Sequence, residues 1–258
     1  MKGHTLMGAL DLPGTPAKFE NLYDMHEFEL DGCVCKVIAP QTPLPGKRWI
    51  LKAEYFIAFP AFELEMLRRG YYFVFMQLEY ECGSPHSLAH WDKLYDFLTS
   101  EHGFDRKPIL FGLSVGGLYI YNWSAKNPEK VGCIYGDNPV CDFKSWPGGK
   151  GASAGHPEDW AKMIAAYGFS DEAEALAWKY NPVDNLKPLV EAGIPLIHAA
   201  ATEDTVVPIQ ENTDRLEKNC LALGGHITVI RHPGGHHPHH AVPDLSGLCD
   251  LIEKSALR

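Results

Sequence analysis

Along most of this chain, apolar runs of strand length alternate with stretches whose apolar residues recur at helical spacing, and no other feature narrows the possible folds as much. Trp49-Ile50-Leu51 reads as a short strand, after which Phe59, Phe62 and Met66 mark a helix that Arg68-Arg69-Gly70 brings to a stop. Tyr71 to Met76 is a strand of the buried type, and Leu88, Trp91, Leu94 and Leu98 form a helical stripe ending near Gly103. Strand Pro108 to Phe111, a helix from about Val115 to Lys126 and strand Val131 to Tyr135 continue the rhythm. Strand Leu196 to Ala200 then precedes a helix with Leu216, Cys220 and Leu223 on one face, stopped by Gly224-Gly225, and Ile227 to Ile230 is the last strand. Parallel neighbours need crossover connections of helix length, so this order predicts an α/β fold with a mostly parallel central sheet and helices on both faces. In front, His26 to Leu30 and Cys33 to Ile38 flank the turn-prone Asp31-Gly32 as a hairpin, which makes the sheet mixed.

One stretch breaks the alternation. From Cys141 to Leu189, Trp146-Pro147-Gly148-Gly149-Lys150-Gly151 gives way to helical patterns around Trp160 to Tyr167 and Asp171 to Trp178, which reads as a small helical cap inserted over the C-terminal edge of the sheet. With 258 residues, 45% of them hydrophobic and 22% charged, the chain can bury a sizeable core as a single domain over residues 1–258 with the cap at about 141–189.

Chemistry concentrates where strand Pro108 to Phe111 meets the next helix, in Gly112-Leu113-Ser114-Val115-Gly116-Gly117. A serine on a sharp strand-to-helix turn is crowded by backbone on both sides, and glycines at the flanking positions relieve that crowding. Its hydroxyl then projects above the sheet, and the positive end of the helix dipole lies beneath it. The N–H of Val115 can point at an oxyanion formed when Ser114 attacks an acyl carbon.

Such a serine needs a base, and the base needs an acid to hold its tautomer. Both occur at later strand ends, in the order serine, acid, histidine. Asp204 lies in Ala201-Thr202-Glu203-Asp204-Thr205-Val206-Val207-Pro208, before a helix expected to begin near Pro208, and His236 lies in His232-Pro233-Gly234-Gly235-His236-His237-Pro238. Glu203 is a rival for the acid and His237 for the base. Asp137 and Asp142, after an earlier strand, are secondary acid candidates whose simpler role is in turns.

Elbow, Asp-x-x-Val-Pro loop and Gly-Gly-His loop together resemble the α/β-hydrolase superfamily over roughly residues 25 to 255, nearest its dienelactone-hydrolase and prolyl-oligopeptidase-like branches. Asn127-Pro128-Glu129-Lys130-Val131 and Asn181-Pro182-Val183-Asp184-Asn185-Leu186 also resemble bacterial hydrolases, some associated with polysaccharide breakdown. The resemblance implies Ser114 as nucleophile, Asp204 as acid and His236 as base, with Val115 giving one oxyanion N–H. The second donor should come from the loop after the Trp49 strand. There the chain departs from the His-Gly-Gly pattern of many relatives and has Lys52-Ala53-Glu54-Tyr55-Phe56, which leaves Glu54 and Tyr55 as candidates. Glu54 could equally bind a substrate hydroxyl or form a structural ion pair. The expected activity is hydrolysis of a carboxylic ester through an acyl-enzyme, on a small-molecule or saccharide-linked acyl or methyl ester, without a cofactor. The alternatives are a prolyl-oligopeptidase-like peptidase, although no propeller-sized N-terminal domain is read ahead of the elbow, and a noncatalytic binding protein on the same scaffold.

Other side chains carry weaker expectations. Trp146, Trp160, Trp178 and Tyr180 in the cap could stack on substrate or simply pack within the cap. His86, after the Tyr71 strand, sits on a loop expected to face the site, or is an exposed residue at a helix start. His232, His236, His237, His239 and His240 raise the possibility of a metal, but no helical HExxH and no cysteine or carboxylate ligand set accompanies them, so no metal is expected. The seven cysteines form no CxxC pair and read as buried small hydrophobes. A net charge of -10 disfavours nucleic acid and anionic membranes as partners, and the apolar runs are far short of the roughly 20 residues that span a bilayer. With no signal-peptide core at the N-terminus, a cytoplasmic location is expected; oligomeric state is not readable.

Overall fold

The computed structural model describes residues 11 to 257. Among these residues nine strands form one sheet: β1 (Thr15–Phe19), β2 (Tyr23–Leu30), β3 (Cys33–Ile38), β4 (Trp49–Ala53), β5 (Tyr72–Met76), β6 (Ile109–Leu113), β7 (Cys133–Asp137), β8 (Leu196–Ala201) and β9 (Ile227–His232). Their spatial order is β1-β2-β3-β5-β4-β6-β7-β8-β9. β1, β2, β3 and β5 pair antiparallel in succession, and every pair from β5 through β4 to β9 is parallel. The sheet is therefore mixed, with the hairpin where the sequence places it; Leu30 faces Cys33 across the Asp31-Gly32 turn, and both turn residues adopt positive φ.

Among the described residues, eight α-helices accompany the sheet: α1 (Ala61–Arg68), α2 (Pro85–Asp96), α3 (Gly116–Lys126), α4 (Pro157–Tyr167), α5 (Glu172–Ala177), α6 (Lys187–Glu191), α7 (Thr213–Ala222) and α8 (Leu245–Ala256). Because side chains alternate across a strand, each strand feeds two cores. On one face Trp49, Leu51 and Val74 pack with Trp91 of α2, Ile120 of α3 and Leu216 of α7. On the other, Ile50, Phe73 and Phe111 pack with Phe62 of α1 and Ile252 of α8. Burial on both sides explains why β4 through β8 are mainly apolar, with Lys52 in β4 and His198 in β8 among the buried exceptions.

Four details depart from the sequence reading. β1 lies in what reads as a lead-in, where Pro16 and a stretch of small and charged residues hide the strand pattern. β7 starts at Cys133, after Gly132, and runs on to Asp137. α7 starts at Thr213 and not near Pro208, since Pro208 to Asn212 close a turn in which the Glu211 N–H (3.1 Å) and the Asn212 side-chain amide (3.0 Å) both donate to the Pro208 carbonyl. α8 is amphipathic, with Leu248, Cys249 and Ile252 buried, and was not anticipated.

Between β7 and β8 the chain carries α4, α5 and α6. Phe143, Trp160, Met163 and Phe169 from this segment pack with Val115 and Leu118 at the start of α3, so the insertion rests on the serine-bearing turn. No helix among the described residues is long and apolar enough to cross a membrane. All seven cysteines are free, and six of them are buried.

Candidate active site

Ser114 sits between β6 and α3 with φ at +49°, a left-handed conformation that costs energy for a residue with a Cβ. Its neighbours over-determine that geometry. The Ser114 N–H donates to the Asp137 carbonyl (3.1 Å), and the Ser114 carbonyl accepts from Gly117 (3.0 Å) and Val140 (2.8 Å). A Cβ on Gly112 would lie 2.6 Å from the Gly116 carbonyl, and one on Gly116 would lie 3.0 Å from the Ala53 carbonyl oxygen. The glycines thus let strand, turn and helix approach each other.

Asp204 follows β8, and its Oδ1 accepts the N–H groups of Val206 (2.9 Å) and Val207 (2.8 Å). That leaves Oδ2 facing Nδ1 of His236 at 2.7 Å, while Nε2 of the same ring lies 2.9 Å from Ser114 Oγ. An ionised carboxylate can only accept, so the His236 proton resides on Nδ1 and Nε2 accepts the serine hydroxyl proton. Ser114, Asp204 and His236 are all buried, between 6 and 7% exposed.

The rivals lie elsewhere. The Glu203 side chain is exposed while its backbone N–H donates to the Gly234 carbonyl. His237 is exposed, and its ring stacks on Phe59 with centroids 5.5 Å apart. Asp142 pairs with Arg215 at 2.7 Å and caps Lys144 N–H, a loop-building role.

Asp137, at the end of β7, holds the histidine loop. Oδ1 meets His239 Nδ1 at 2.7 Å, and Oδ2 accepts the His240 N–H (3.0 Å) and the Tyr135 hydroxyl (3.0 Å). Burial works to raise this carboxyl's pKa, but the hydrogen bonds from His239 and His240 outweigh it and hold it well below the usual carboxylate range. Asn138, at φ +44°, completes the clamp: Nδ2 donates to the His236 carbonyl (3.2 Å), and Oδ1 accepts the Ala201 N–H (2.7 Å). Sequence reasoning missed Asn138. Its one signal is Asp-Asn-Pro at a strand's C-terminal end, where asparagine tolerates a left-handed turn.

Val115 is at the N-cap position of α3, so its N–H belongs to the first turn, where backbone donors lack intrahelical partners. Glu54 and Tyr55 follow β4, whose Ala53 lies opposite Gly112 of β6, and both are left-handed, at φ +58° and +51°. Two consecutive non-glycine residues in that region mark a backbone that its surroundings hold in place. The Glu54 carboxyl is half-buried against the Tyr119 hydroxyl, and burial raises its pKa to about 7.

The weaker candidates separate from this centre. His86 is exposed on α2 and lines a cavity of about 380 Å³ with Asp31, Glu81 and His90, which no triad residue borders. Trp178 and Tyr180 line a second cavity with Tyr167 and Asn122, again away from Ser114. Trp160 is buried, its indole N–H on Glu172 at 2.9 Å, and half-buried Trp146 packs against the same cap core. Trp146, Trp160 and Trp178 pack in the cap core, whereas Tyr180 is exposed.

The nine-stranded sheet with helices on both faces, and the serine turn with its histidine and aspartate on later strand ends, define an α/β-hydrolase fold. Solved structures with this fold include the acylaminoacyl peptidase of Pyrococcus horikoshii, with a TM-score of 0.68 and 16% identity over 91% of this chain and 42% of that one. A puromycin-hydrolysing peptidase of Mycobacterium tuberculosis superposes with a TM-score of 0.68 and 12% identity, over 91% of this chain and 38% of that one. This chain thus spans about two fifths of the length of these proteins. The sequence matches no family model and no curated protein.

Proposed function

We propose that the protein is a serine hydrolase that cleaves an acyl bond through a covalent intermediate, with peptide amides as its substrate class. The observation that carries the reading is the unbroken line from Asp204 Oδ2 through His236 to Ser114 Oγ, at 2.7 and 2.9 Å. His236 Nε2 takes the hydroxyl proton as Oγ attacks the carbonyl carbon, and the Val115 N–H with a backbone donor of the Glu54-Tyr55 turn receives the oxyanion. The imidazolium, steadied by Asp204, returns the proton to the leaving nitrogen; water then attacks the acyl-enzyme with His236 again as base. The preference for amides over saccharide esters is supported by the peptidases named among the structures that share the fold. An ester of similar shape would follow the same steps with an alcohol as leaving group.

Ser114→Ala should lower turnover by at least about a thousandfold and abolish fluorophosphonate labelling. Undiminished activity in that variant would remove the serine from the mechanism. Aminoacyl and peptidyl anilides compared with acetyl, feruloyl and methyl-uronate esters decide the substrate class: cleavage of esters alone would overturn the peptidase reading.

A further inference from the structure

The loop after β9 contains more imidazole than a catalytic base requires. His236, His237 and His239 form a near-equilateral triangle with ring centroids 4.7, 5.0 and 5.0 Å apart, each ring steeply inclined to the others. One nitrogen from each ring lies within 4.8 Å of the others. Two of the three rings are oriented by buried carboxylates, Asp204 on Nδ1 of His236 and Asp137 on Nδ1 of His239, each at 2.7 Å. Since a carboxylate takes the Nδ1–H, both rings present an Nε2 lone pair, the carboxylate–histidine arrangement that orients imidazoles towards a metal. His239 Nε2 makes no hydrogen bond among the described residues, and His236 Nε2 has only the Ser114 hydroxyl.

We propose that His236, His237 and His239 bind a divalent transition metal of the zinc class, and that the metal switches the enzyme off by occupying the lone pair His236 offers to Ser114. Three imidazoles and a water complete a tetrahedral site with Zn–N bonds of about 2.0–2.1 Å, which brings the nitrogens closer together than they stand here. The exposed His237 can supply that movement, its ring sliding off Phe59, while the two carboxylate-held rings stay in place. No proton need leave the neutral imidazoles, because each gives only a lone pair, and His236 and His239 keep their Nδ1–H on the carboxylates. The two carboxylates behind the rings offset the charge of the cation. This metal is an inhibitor and not a cofactor: a base whose lone pair is coordinated cannot accept the serine proton. The inhibitory half rests on the serine-hydrolase reading above, whereas the binding half does not.

The test is titration of the chelator-stripped full chain with zinc chloride, read by calorimetry and by fluorophosphonate labelling. One zinc per chain is expected, with labelling and hydrolysis falling in step with occupancy and returning on addition of EDTA. His237→Phe keeps the ring on Phe59 but lacks the nitrogen, and should weaken both zinc binding and inhibition at least tenfold. Ser114→Ala should bind zinc at least as tightly as the wild type. Failure to bind one zinc, or equal affinity in His237→Phe, would overturn the site. Zinc that binds through His237 without slowing hydrolysis, or that hydrolysis requires, would overturn the switch. Zinc binding that depends on His237 in a chain that neither hydrolyses nor labels would leave the site standing and remove the hydrolase reading instead.

Discussion

Asn138 shows how much of the site is carried by a residue outside the line from Asp204 to Ser114. One side chain ties the carbonyl of the base to the end of β8, at 3.2 and 2.7 Å. Each such bond is worth about 1 kcal/mol, and the loop it holds must keep His236 within reach of Ser114. Asn138→Ala should therefore lower kcat by roughly tenfold with KM little changed, whereas a kinetic profile identical to wild type would show that Asp137 suffices. Glu54 acts through charge. Below its pKa of about 7 it is neutral; above, it carries a negative charge beside the turn proposed to receive the oxyanion. Glu54→Gln removes that charge at every pH, so the ratio of its kcat/KM to the wild-type value should rise as pH increases through about 7 and level off beyond. A ratio independent of pH would place Glu54 outside the reaction's field.

At the scale of elements, the junction of β6, α3 and the loop after β7 is a close-packed knot. Gly112 abuts the Gly116 carbonyl, and a Cβ on Gly117 would come within 2.7 Å of Pro139 Cβ. Gly112→Ala should destabilise the fold by about 2 kcal/mol or more, seen as a lower denaturant midpoint, because the backbone it strikes cannot yield as a side chain could. This knot was legible in the sequence because Gly112, Ser114 and Gly116 have few other reasons to stand together between an apolar strand and a helix. The Asp204 and His236 loops were legible for the same reason, each following an apolar run that could only be a strand. What could not be read depends on contacts between distant segments. Nothing near Asp137 in the chain announces that it would hold His239, 102 residues on. His86 was legible as an exposed residue at a helix start, but nothing in Glu81-Cys82-Gly83 announces the cavity it lines. The cap aromatics were ambiguous in sequence because burial and binding select the same residue types.

For the whole molecule, the sheet interior sets the response to acid. His198, in the middle of β8, is fully buried between the Tyr121 hydroxyl (2.8 Å) and Thr213 Oγ1 (3.0 Å), and burial lowers its pKa to about 3. The unfolded chain, with an ordinary histidine pKa of about 6.5, binds the proton first. Its contribution to stability is therefore complete above about pH 6.5 and is lost as pH falls towards about 3, at a slope of about 1.4 kcal/mol per pH unit. His198→Gln should flatten that part of the stability curve; an unchanged slope would assign the acid sensitivity to other groups. The strand order has a further consequence. Ser114 follows β6, deep within the sheet, Asp204 follows β8, and His236 follows β9, which lies at one edge. The three groups that the proposed chemistry must align are thus moored at unequal depth, and the proposed base is fastened to the selvage of the fabric. Fraying at that margin would silence the chemistry while the nucleophile's own turn stayed folded, so loss of turnover should precede loss of the core.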